Sequence, residues 1–83
     1  MSGTRMPRYF FHVRDSGVML DHAGIELAGL AEARAMAVKT AGEELRDLGG
    51  KLWESPEWLM WVTDESGDTV CSIKFTVDAD APS

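Results

Sequence analysis

Leu30, Ala33, Ala37, Ala41, Leu45 and Leu48 recur at steps of three and four. That spacing puts them on one face of an α-helix. The middle of the face is alanine, and Val38 widens the stripe. Small side chains let a helix lie close to its support, so the pattern predicts a helix over 30–48 seated tightly on a sheet. Glu32, Arg34, Lys39, Glu43, Arg46 and Asp47 fall mostly on the wet side. Gly42 costs up to about 1 kcal/mol of helix propensity relative to alanine. Gly49-Gly50 provides the left-handed cap that ends the helix.

The segments around this helix have a different period. In 8–14, Tyr9, Phe11 and Val13 point one way and Phe10, His12 and Arg14 the other, which is strand alternation. Asp15-Ser16-Gly17 reads as a turn, Val18-Met19-Leu20 as a second, antiparallel strand, Asp21-His22-Ala23-Gly24 as a turn or bulge, and Ile25-Glu26-Leu27 as further extended chain. After the helix, 51–57 is a connection broken by Pro56. Residues 58–63 form a third strand, 64–68 a turn, and 70–77 a fourth strand with Cys71, Ile73, Phe75 and Val77 on one face. The second hairpin has two possible registers. An even loop sets Trp58, Met60 and Val62 beside Cys71, Ile73 and Phe75; an odd loop with a bulge at Gly67 sets Leu59 and Trp61 there instead. The even loop gives the better match of polarity across the pair and is preferred. It turns Trp61 away from the helix, and Leu59 and Phe10 with it.

The fold class is therefore α+β. A ββαββ chain over 8–77 forms one domain, an antiparallel sheet of about four strands with one helix on one face. The tails 1–7 and 78–83 are expected to be flexible. At 83 residues the core is marginal, and partners often complete such domains. The net charge of −6 argues against direct nucleic-acid binding, which normally needs a basic patch. The single cysteine, Cys71, allows no intrachain disulfide. No apolar run reaches the ~18 residues needed to span a membrane, and 1–8 lacks the apolar stretch of a signal peptide. A cytoplasmic location is expected.

The run MPRYFFHVRDSG, the following DHAGIEL, the helix LAEARAMAVKTAGEEL and the hairpin VTDESGDTV resemble a family of small bacterial proteins catalogued only as a domain of unknown function. The resemblance extends over 6–77 and implies a stand-alone ββαββ domain without an established activity. Two positions depart from it. Gly29 stands where the family often has an Asp N-cap, and Trp61 stands at a typically polar position. A second, shorter similarity, Leu30-Ala31-Glu32-Ala33 after an opening hairpin, is to the antitoxin subunits of toxin–antitoxin pairs. It implies an alternative role, a regulatory subunit acting on a partner protein or with it on nucleic acid.

No residue set here reads as catalytic, and no cofactor or metal is expected. His12 has no nucleophile matched to it, because Ser16 and Ser66 lie in turns and Cys71 on a strand. Asp15, Asp21, His22 and Glu26, and separately Asp64, Glu65 and Asp68, have the residue types of oxygen-ligand sites. Their spacing is that of ordinary turns. Cys71 reads as a small inward-facing hydrophobe with no cation beside it in the sequence. Trp58 reads as core, and Trp53 as a cover for the helix end. What remains is the helix-free sheet face, where Phe10, His12, Leu59 and Trp61 form a candidate interface for another protein or a second copy of the chain.

Overall fold

The computed structural model describes residues 6–15, 17–54 and 57–77. Its elements are β1 (Arg8–Arg14), β2 (Val18–Met19), β3 (Ile25–Glu26), α1 (Leu30–Leu48), a 3₁₀ turn (Gly49–Trp53), β4 (Glu57–Thr63) and β5 (Thr69–Thr76). All pairings are antiparallel, in the order β2-β1-β4-β5, with β3 also on β1. β2 and β3 are two short pieces of one edge, interrupted by residues 20–24. The expected α+β architecture of one helix on an antiparallel sheet is the observed one.

The core lies between α1 and the β4–β5 half of the sheet. Ala33, Ala37 and Ala41 are buried against it, as are Tyr9, Leu27, Trp58, Met60 and Val62. Full burial of side chains such as Met60 and Val62 contributes roughly 1.5–3 kcal/mol each. The ring of Trp58 packs on Phe75 with centroids 5.7 Å apart, and its Nε1 has no hydrogen-bond partner. Because α1 packs on β4 and β5, it leaves a groove of about 480 Å³ beside β2, lined by Phe11, Val13, Met19 and Met60.

Several expectations are corrected. Val38 does not belong to the buried stripe; it is 66% exposed. Trp53 is exposed in the 3₁₀ turn, and Leu52 is the residue that packs on the core there. α1 does end at Leu48 with Gly49 at φ +54°, but the connection that follows begins as that turn. Pro7 is not loose, since its carbonyl accepts a hydrogen bond from the Leu27 amide at 3.0 Å. Gly29 makes no side-chain cap. Glu32 instead accepts from the amide of Ala28, one residue before the N-cap, at 3.4 Å. The expectations for 1–5, Ser16, Pro56 and 78–83 fall outside the described residues.

The second hairpin combines both registers considered above. Its tip is tight. The Asp64 amide donates to the Asp68 carbonyl and the Gly67 amide to the Asp64 carbonyl, both at 3.0 Å, and Gly67 has φ +88°. A register shift then falls between Val62 and Thr63, so that Val62 lies opposite Cys71 while Thr63 lies opposite Thr69. The extra residue restores the alternation of the even loop. Trp58, Met60 and Val62 share the helix side with Phe75, Ile73 and Cys71, and Leu59 and Trp61 lie opposite Lys74 and Ser72.

Candidate functional site: the helix-free sheet face

The strand register brings Phe10, His12, Leu59 and Trp61 onto one face. His12 lies opposite Trp61, Arg14 opposite Leu59, and Phe10 opposite Thr63. All four candidate residues are half-buried. The His12 and Trp61 rings lie 5.1 Å apart, tilted by 34°.

His12 is fixed at both nitrogens. Nδ1 lies 3.1 Å from the Asp21 amide, which can only donate, so Nδ1 must offer its lone pair. In the neutral ring the proton is then on Nε2, which donates to Thr63 Oγ1 at 3.0 Å. Its two partners sit on the edge segment and on β4, so the ring ties the edge of the sheet to its centre. The groups at its two nitrogens are the Thr63 hydroxyl and the Asp21 amide. The ring's hydrogen bonds are those of a clamp.

Asp21 organises the gap between β2 and β3. Its Oδ2 accepts from the Phe11 amide at 3.1 Å, and its Oδ1 accepts from the Ala23 and Gly24 amides at 3.1 Å each. Burial pushes the carboxyl group up. The amides of Gly24, Phe11 and Ala23, together with His12, outweigh burial and hold it below the usual Asp value. Gly24 completes the loop at φ +71°. A Cβ there would come within 2.8 Å of both the Phe10 ring and Arg8 Cγ, so the ring lies directly against the glycine. Arg8 closes over the same loop, donating to the Ala23 carbonyl at 2.8 Å and pairing with Glu26 at 3.6 Å.

A row of four side chains crosses this face. Val18 lies opposite Arg14, Arg14 opposite Leu59, and Leu59 opposite Lys74. Val18 is 61% exposed, and Arg14 and Lys74 are exposed. The row alternates apolar and cationic groups and runs beside the His12–Trp61 pair. Of the other strand residues on this face, Glu26 is paired with Arg8, and Glu57 lies at the far end of β4 opposite Thr76. A chain of net charge −6 thus presents a locally basic, apolar strip.

The other residues considered from the sequence lie elsewhere. Asp64 folds its own hairpin tip, with Oδ1 accepting from the Ser66 amide at 2.9 Å and the Asp68 amide at 3.1 Å. His22 is exposed at the mouth of the groove beside β2. Among the described residues, no three His, Cys, Asp or Glu side chains are grouped to hold a metal ion. Cys71 is half-buried on the helix side. Burial raises its thiol pKa, opposed by a cation the linear sequence does not place there, Arg34 of α1.

Residues 8–76 match one family profile. The chain belongs to the family described as a domain of unknown function, DUF6894. No curated protein and no solved structure matches it. Among the described residues, no helix is long and apolar enough to cross a membrane.

Proposed function

We propose that this domain is a protein-interaction module that uses its helix-free face to hold a short segment of another protein bearing alternating acidic and apolar residues. The observation that carries the reading is the Val18–Arg14–Leu59–Lys74 row beside the stacked His12 and Trp61. The cations would meet carboxylates, and Val18, Leu59 and Trp61 would meet apolar side chains. Trp and Arg are also the residues most often dominant in binding energy. The clamp on His12 adds to this, because side chains already held in place lose little entropy on binding.

Net charge must be weighed against the local strip. At physiological salt the Debye length is about 8 Å. A segment short enough to stay over the strip feels mainly Arg14 and Lys74. A nucleic acid would run past it into the carboxylates that give the chain its −6 charge, and long-range repulsion would win. This favours a protein segment over a polynucleotide.

The test is an NMR titration of the isotope-labelled domain with a synthetic peptide of alternating Glu and Leu. Controls are the same peptide with Lys for Glu and a single-stranded oligonucleotide. The expected result is saturable shifts at the Trp61 indole and at Ser72 and Lys74 with the acidic peptide alone, lost in Trp61→Ser and in the double variant Arg14→Glu/Lys74→Glu. A response to the oligonucleotide alone, or equal responses to both peptides, would refute the reading.

A further inference from the structure

β5 is the open edge of the sheet. It pairs only with β4, and the strand order leaves its outer side without a neighbour among the described strands. An eight-residue edge of unpaired N–H and C=O groups is a template for another strand. The opposite edge is a poor template. There β2 and β3 have two residues each, separated by the Asp21 loop.

The flank of α1 above β5 is also uncovered. α1 packs on β5, and its Arg34 side lies toward Cys71 of that strand. Val38 lies one turn beyond Arg34 on the same side and is 66% exposed. Ala31 and Leu45 lie seven residues before and after Val38, so the three line this flank, Ala31 and Val38 exposed and Leu45 half-buried against the core. The open edge and this flank are therefore adjacent, one in the sheet layer and one in the helix layer.

We infer that β5 and this flank of α1 form the interface of a homodimer, in which two copies of β5 pair antiparallel about a two-fold axis. The surface shares Lys74 with the strip proposed above for the acidic segment and otherwise lies apart from it, at the outer edge of β5. Charge argues for a second copy here. The chain has 14 acidic residues and Thr69–Thr76 contains none; Lys74 is its one charged residue. Two copies can meet here without setting carboxylates against each other. Pairing centred on Ile73 puts Lys74 opposite Ser72 of the partner subunit, not opposite its own copy, and Cys71 opposite Phe75 of the partner subunit. The inward and outward faces of the two sheets then continue one another.

Layering separates a second copy from an added peptide. An extended peptide would satisfy the edge of β5 but leave Ala31 and Val38 in water. A second copy brings its own helix over the junction and covers both layers. A contact ~27 Å long and ~15 Å deep presents roughly 400 Å² in projection on each copy, approaching the ~1,000 Å² total of a specific interface.

The test is sedimentation velocity over a concentration series, with hydrogen exchange of the β5 amides at the two ends of that series. The wild-type chain is expected to be dimeric, with protection across Cys71–Phe75 rising with concentration. Val38→Glu changes an exposed side chain, so the fold should persist, yet dimerisation should weaken at least ~10-fold because a carboxylate enters the apolar contact. A wild-type chain that stays monomeric up to millimolar concentration overturns the inference. So does β5 protection that is independent of concentration. So does a dimer that survives Val38→Glu with unchanged affinity, or one that Trp61→Ser dissociates, which would move self-association to the helix-free face.

Discussion

Replacing Asp21 by alanine removes the acceptor for three backbone amides at once, those of Phe11, Ala23 and Gly24. The Ala23 amide is exposed, and water replaces its partner at little cost. The Phe11 and Gly24 bonds are part-buried. Losing a bond from a buried amide to a charged acceptor costs on the order of 1.5–3 kcal/mol, and partial exposure lowers that, so the two together give roughly 2–4 kcal/mol. A domain of this size has a total stability of roughly 4–12 kcal/mol. Asp21→Ala should therefore shift the urea midpoint strongly, or unfold the chain at 37 °C. Asp21→Asn should not rescue it. Whichever way the amide is turned, its NH₂ group meets N–H donors that the carboxylate accepted.

The acid limb adds a second reading of the same residue. The carboxyl pKa is lowered in the folded chain from its ordinary value of 3.8. The stabilising contribution is therefore complete above the unfolded pKa and is lost as pH falls through the lower folded value. The difference in stability between wild type and Asp21→Ala should be constant near neutral pH and shrink only below about pH 3.8. The assay is urea denaturation followed by circular dichroism across that range. A cost below about 0.5 kcal/mol at neutral pH, or a gap that widens in acid, would refute the assignment of Asp21 as the residue that fills the break in the edge strand.

Two glycines give opposite expectations on the same assay. Gly24→Ala should destabilise by about 2–3 kcal/mol, from the left-handed backbone and from displacement of Phe10. The penalty should fall by half or more in a Phe10→Ala background, and an additive double mutant would show that the ring does not rest on Gly24. Gly42→Ala should stabilise by about 0.5–1 kcal/mol, because the position is in the helix interior with nothing within 4 Å of the added carbon; a lowered urea midpoint would count against it.

The local periods were legible in the chain. Alternation in 8–14 fixed which side of β1 each aromatic occupies, and the three-four spacing fixed α1 as 30–48, matching its observed bounds. Both follow from the geometry of a single backbone segment. The outward position of Trp61 was also legible, because the polarity of Ser72 and Lys74 selects the pairing. The device that achieves it was not. A tight tip followed by a compensating bulge is invisible to a polarity argument, which sees only parity.

Everything lateral was decided by the tertiary structure. Whether Val38 is buried depends on where α1 comes to rest across the sheet, and the alanines let it settle over β4 and β5, leaving Val38 outside. The same placement brings Arg34 to Cys71. Asp21 looked like ordinary turn chemistry because its Phe11 partner lies ten residues earlier, on a neighbouring strand. The row Val18–Arg14–Leu59–Lys74 draws one residue from each of four strands and exists only once the register is set. The sequence by itself determined the elements and the two faces of each strand, because those are properties of a few consecutive residues. The candidate binding strip, the clamp on His12 and the open flank over β5 arise between elements, where only packing determines which side chains meet.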